Sequence, residues 1–136
     1  MVDDGNVERH GYTALVVDDD EDTVNLFTEF LEIYDVAVVG KAFDGKQATK
    51  IFNDMSPDII FSDVMMPEYD GFYALEHIKK INPNAIMVMI TGDVRADTIH
   101  KLEKNKLAVQ VQLTKEYLDK SSIFTMHFQN LMTHIP

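Results

Sequence analysis

Apolar positions along the chain fall into five short runs of strand character, each followed by a stretch with helical spacing. The first run is Thr13 to Val17, centred on Ala14-Leu15-Val16-Val17. Beyond it Val24, Phe27, Leu31 and Tyr34 recur at steps of three and four, with Phe30 beside them, and predict a helix ending near Tyr34. Asp20 and Asp22 are the candidate caps of that helix. The second run is Val36-Ala37-Val38-Val39, ending by Lys41, with Asp44-Gly45 as a turn signal. Ala48, Ile51, Phe52 and Met55 then share one helical face, and Ser56-Pro57 stops it. The third run, Ile59-Ile60-Phe61, has the β-branched content of a buried strand and ends in a carboxylate, Asp63. A loop stiffened by Pro67 leads to Gly71 and a third helix with Phe72, Leu75 and Ile78 as its stripe, closed by Asn82-Pro83. The fourth run, Ile86 to Ile90, is apolar at every position, as an interior parallel strand should be. After Thr91-Gly92-Asp93, a fourth helix of roughly Arg95 to Asn105 has few anchors, namely Ala96, Ile99 and Leu102. The fifth run alternates, with Val109, Val111 and Leu113 opposed to Gln110 and Gln112, which marks an edge strand with one wetter face. Lys115 follows, and a last helix of about Asp119 to Thr133 closes the chain, with Phe124, Phe128 and Leu131 as its anchors.

Strict alternation of strand and helix with short connections predicts an α/β fold, a doubly wound five-stranded parallel sheet. The second strand ends without a carboxylate or hydroxyl, whereas the other four end in Asp18-Asp19, Asp63, Thr91 and Lys115. Parallel strands deliver all those ends to one edge. The simplest order, 2-1-3-4-5, sets the first strand beside the third and opens a crevice where chain direction switches. Neighbouring strands lie about 4.8 Å apart, so Asp18-Asp19 and Asp63 are expected within one ligand's width of each other.

Composition narrows the readings. With 136 residues the chain suits one domain with a proper core. A polar, mostly acidic tail of residues 1–11 precedes a domain of residues 12–136, and the tail lacks the pattern of a signal peptide. No apolar stretch has the length of a membrane span. The formal net charge of −11, without a cluster of Lys and Arg, argues against nucleic acid as a partner. There are no cysteines, which excludes disulfides and thiolate metal sites and fits a cytoplasmic location. The five histidines have no ligand spacing. The eight methionines read as core filler, Met87 and Met89 above all, while Met66 and Tyr69 read as exposed, either partner contacts or loop packing.

A carboxylate at the carboxyl edge of such a sheet is a nucleophile, a base or a metal ligand. Taken singly, each piece has a plainer reading: an acidic run before a helix is a cap, Thr91-Gly92-Asp93 a turn, Lys115 a solvated lysine. Together they point further. Carboxylates brought together repel, and a hard cation such as Mg²⁺ relieves the repulsion. Lys115 adds a positive charge and Thr91 a hydroxyl, the set needed around a transferring phosphoryl group, with Asp63 as the attacking carboxylate and an acyl phosphate as product.

Val16-Val17-Asp18-Asp19, Asp63-x-x-x-Pro67-x-x-x-Gly71, Thr91-Gly92 and Lys115, in this order and each at a strand end, resemble the receiver domain of two-component response regulators over about residues 12 to 134. The resemblance is to the stand-alone, CheY-like members and implies their flavodoxin-like fold. It implies that Asp63 accepts a phosphoryl group from a sensor histidine kinase or phosphotransfer protein. Asp18, Asp19, Asp63 and the backbone carbonyl of Met65 would hold Mg²⁺, and Thr91 and Lys115 would contact the phosphoryl oxygens. Thr91 would then move, reshape the fourth helix and fifth strand, and signal to a separate downstream protein, with Ile99 and Gln112 on the output surface. Met65 and Asp93 flank the site as tuning positions. Two positions depart from the family pattern: Glu116 stands where a proline is usual, and Gln112 where an aromatic is frequent. Two other functions compete. One is a Mg²⁺-dependent phosphatase of haloacid dehalogenase type, which Asp18-x-Asp20-x-Asp22 approaches without the threonine in register. The other is a docking module that keeps the fold and is never phosphorylated.

Overall fold

The computed structural model describes residues 11–91 and 109–114. Four parallel strands form the body of the sheet in the order β2-β1-β3-β4: β1 (Thr13–Val17), β2 (Ala37–Ala42), β3 (Ile59–Asp63) and β4 (Ile86–Thr91). Helices α1 (Glu21–Ile33), α2 (Gly45–Met55) and α3 (Gly71–Ile81) connect them. The backbone of β5 (Val109–Thr114) pairs in parallel with β4, from Met87 opposite Val109 to Thr91 opposite Thr114. The predicted fourth and last helices lie outside the described residues, as do the tail of residues 1–10 and Lys115.

Alternation along each strand splits the core in two. Leu15, Val17, Ile60, Met87 and Met89 face α2 and α3, where they meet Ala48, Phe52, Ala74, Leu75 and Ile78. Ala14, Val16, Ile59, Phe61, Val88 and Ile90 face α1 and meet Val24, Phe27 and Leu31. A strand covered on both faces must be apolar throughout, which is why β3 and β4 read as unbroken apolar runs. The sheet is therefore doubly wound, with α1 on one face and α2 and α3 on the other.

Local chemistry sets the ends of the elements. Asp44 caps α2, its carboxylate accepting the Gln47 amide at 2.8 Å, and Asp70 caps α3 by accepting the Tyr73 amide at 3.0 Å. Ser56 closes α2 in the left-handed region at φ 46°. At the edge remote from the acidic strand ends, Asp58 accepts the Thr13 amide at 2.8 Å and returns its own amide to the Thr13 carbonyl at 3.0 Å. These bonds fix how β1 starts against β3.

Several expectations are adjusted. β2 runs to Ala42 rather than centring on Val36 to Val39, because a register shift at Ala14/Leu15 carries the pairing on to Val17 opposite Ala42. Asp20 takes the N-cap position of α1 but makes no side-chain cap bond; its carboxylate accepts the Thr23 hydroxyl instead. Met55, the last residue of α2, is exposed rather than part of the buried face. Met66 is buried in the core beneath α2 and α3, so it packs the loop rather than offering a surface contact.

Phe61 lies at the centre of the sheet, edge-on to Phe27 with ring centroids 5.1 Å apart. Phe61→Ala is expected to lower the free energy of unfolding by about 3–5 kcal/mol, read from urea titration.

Candidate functional site

β1 and β3 pair from Ala14 opposite Ile59 to Val17 opposite Ser62. One residue further, the same register sets Asp18 against Asp63. Asp19 follows on the loop that leads to α1. Among the described residues, Asp18, Asp19 and Asp63 each offer a carboxylate oxygen within 4.8 Å of the others'. Asp18 and Asp63 are buried, each 5% exposed, and Asp19 is exposed.

Both buried carboxylates are aimed by the main chain. Asp18 Oδ1 accepts the Asp20 amide at 2.9 Å, and Asp63 Oδ1 accepts the Val64 amide at 2.9 Å. Val64 is held in turn, because its carbonyl accepts the Gly71 amide at 2.8 Å and closes the loop after β3. The loop turns at Glu68, whose φ of 64° is unusual for a residue with a side chain. Gly71 is required here: a Cβ on it would lie 2.3 Å from the Asp63 carbonyl oxygen and 2.8 Å from Met89 Cε. The floor of the site is apolar. A cavity of about 10 Å³, lined by Asp18, Asp63, Thr23, Phe27, Phe61 and Ile90, holds no more than one water.

Two unit charges at this separation repel by about 3–4 kcal/mol at an effective dielectric of ~20. Asp19, being exposed, is screened by solvent more than the buried Asp18 and Asp63. An all-oxygen set of this kind fits a hard divalent cation: few protein ligands, and charge that the ion neutralises. The residues present therefore fit a metal of the Mg²⁺ type.

The other candidates fare unequally. β4 brings Thr91 to the same edge, since Asp63 pairs with Ile90 and Thr91 is next along the strand. Met65 follows Asp63 by two residues with an exposed side chain. Gln112 belongs to β5, where the backbone alone is described. Asp93, Ile99, Lys115 and Glu116 lie outside the described residues. His77 stands apart from the carboxylates, its ring stacked on Tyr73 at 3.9 Å between centroids. Sequence patterning missed the role of Ala42 and Gly45, which meet the two acidic loops through backbone atoms. The only signal was Asp44-Gly45, which also reads as an ordinary turn.

Asp63→Asn keeps an oxygen to accept the Val64 amide but removes one charge from the cluster. In chelator the variant is expected to be more stable than the parent by about 1–2 kcal/mol. Addition of Mg²⁺ is expected to raise the thermal midpoint of the parent and to leave that of Asp63→Asn nearly unmoved.

Comparison with known proteins agrees with this geometry. Residues 14–126 match the response regulator receiver domain family. The chemotaxis protein CheY of Halobacterium salinarum is 33% identical over 97 residues, which are 71% of this chain and 75% of that protein. A protein-glutamate methylesterase/protein-glutamine glutaminase of the same organism is 35% identical over 96 residues, 69% of this chain, but the match spans just 28% of its length. The solved response regulator domain of Thermotoga maritima CheB superimposes with a TM-score of 0.75 at 25% identity, over 92% of this chain and 98% of that one. No helix among the described residues is long and apolar enough to cross a membrane. The chain belongs to the response regulator receiver domain family, and its clustered Asp18, Asp19 and Asp63 are consistent with Mg²⁺-dependent phosphoacceptor signalling.

Proposed function

We propose that residues 12–136 form a receiver with the full 2-1-3-4-5 sheet, which takes a phosphoryl group onto Asp63 from the phosphohistidine of a sensor kinase or phosphotransfer protein. The observation that carries this reading is the meeting of Asp18, Asp19 and Asp63 at one edge of the sheet, with oxygens within 4.8 Å. Asp63 is the member whose carboxylate hangs from a closed loop, aimed by the Val64 amide. In the transfer, an Asp63 oxygen attacks phosphorus in line with the leaving imidazole. The P–N bond breaks, its electron pair returns to the ring nitrogen, and an acyl phosphate remains on Asp63. Asp18, Asp19, Asp63 and the Met65 carbonyl would hold a divalent cation, which would supply charge neutralisation at the phosphoryl oxygens.

The position of Thr91 at the end of β4, one step beyond the partner of Asp63, supports a hydroxyl contact to the same phosphoryl group. Lys115 follows Thr114, which pairs with Thr91, and this supports an ammonium on its far side. Response to phosphorylation then runs through Thr91 toward Ile99 and Gln112 and on to a separate protein, and Met65 and Asp93 tune how fast water removes the group. The absence of cysteine supports residence in the reducing cytoplasm.

Incubation with acetyl phosphate and Mg²⁺ is expected to add one phosphoryl group by intact mass. The gain disappears with chelator and in Asp63→Asn. A protein that stays unmodified under these conditions, with Mg²⁺ in excess, contradicts the proposal.

A further inference from the structure

The connection between β2 and α2 touches both loops that carry the carboxylates, although it adds no side chain to them. Ala42, the last residue of β2, accepts the Asp18 amide at 3.1 Å. Three residues later Gly45 opens α2 and donates its amide to the Tyr69 carbonyl at 2.6 Å. The stretch between is stiff. Asp44 accepts the Gln47 amide at 2.8 Å, and Gln47 Oε1 accepts the Phe43 amide at 3.1 Å, a two-way cap. Lys46 lies over the Tyr69 ring, 5.4 Å from its centroid, and adds to the same contact.

Tyr69 belongs to the loop that orients Asp63. From it the main chain leads to Gly71, the Gly71 amide holds the Val64 carbonyl, and the Val64 amide holds Asp63 Oδ1. A backbone path thus runs from Asp18 through Ala42 and Gly45 to Asp63. Gly45 is its tightest point. A Cβ there would lie 2.4 Å from the Asp70 carbonyl oxygen, 3.0 Å from that of Tyr69 and 3.2 Å from the Ala74 nitrogen, all main-chain atoms that cannot swing aside.

We propose that Ala42–Gly45 is a strap that sets the separation of the Asp18-Asp19 loop from the Asp63 loop, with Gly45 as a positioning residue for divalent-cation binding by the three carboxylates. The inference rests on the phosphoacceptor reading above for the identity of the ion. Gly45 touches neither the ion nor the phosphoryl group; it acts through Tyr69, Gly71 and Val64.

The test compares Gly45→Ala with Gly40→Ala. In the latter the added Cβ meets side-chain atoms only, the Ile51 Cγ2 methyl at 2.5 Å and Leu15 Cδ1 at 3.3 Å, and no atom of either acidic loop. Mg²⁺ is titrated against each protein by calorimetry and by thermal midpoint. Gly45→Ala is expected to raise the half-saturating Mg²⁺ concentration by about tenfold, the scale seen when groups behind metal ligands are altered. Gly40→Ala is expected to lose stability without that rise. In the unaltered protein, the Gly45 amide resonance is expected to shift on Mg²⁺ addition with the same half-saturation as those of Asp18 and Asp63, a readout that survives if Gly45→Ala fails to fold. A Gly45 amide silent to Mg²⁺, or equal Mg²⁺ affinities in the two variants and the parent, overturns the strap. A parent protein that takes no Mg²⁺ overturns the function proposed above, and the strap's metal role with it.

Discussion

Everything at this site depends on holding like charges together against their repulsion. Asp18 and Asp63 are buried, and Phe27, Phe61 and Ile90 line the small cavity beside them, so their charges act on each other through little water. The force that opposes separation is not local to the site. It is the hydrogen-bonded register of β1 against β3, backed by two packed cores and fixed at the far end by the exchange between Thr13 and Asp58. A strand pair cannot slip by one residue without turning Leu15 and Val17 from α2 and α3 toward α1, which would undo the packing of both cores. The fold thus keeps a cluster of charge at its edge that is poised to accept a cation and, through it, a further anionic group.

That arrangement explains why the chemistry is assigned to a transient modification rather than to a standing ligand. The edge offers three oxygen donors, and the neighbouring strand end brings Thr91. The cavity that Asp18 and Asp63 line among the described residues is the size of a single water. The energy of the acyl phosphate, once formed, becomes available to the loops that the carboxylates hang from, and those loops are tied to α1, α2 and α3.

Much of this was legible in the residues. Unbroken apolar runs at Ile59 to Phe61 and Ile86 to Ile90 signal strands covered on both faces, and the structure covers them with α1 on one side and α2 and α3 on the other. Asp18, Asp19 and Asp63 stand at strand ends in the sequence, and a parallel sheet has one edge on which to put them. Contacts made by main-chain atoms are different, since no side chain announces them. Gly45 looks like any turn glycine until the Tyr69 and Asp70 carbonyls are seen against it. Met66 follows an exposed residue and precedes a proline, yet it is buried because the loop folds back when Gly71 bonds to Val64. Asp20 has the residue type of a cap, but its carboxylate accepts the Thr23 hydroxyl instead.

The position of the acyl phosphate distinguishes a receiver from a phosphatase that would use the acids after β1, because both would gain the same mass. Treatment of the phosphorylated protein with borohydride reduces an aspartyl phosphate to homoserine, and peptide mass spectrometry then reads its place in the chain. The geometry predicts homoserine at position 63 and at no other aspartate. Homoserine at position 18 or 19, with Asp63 intact, would contradict it.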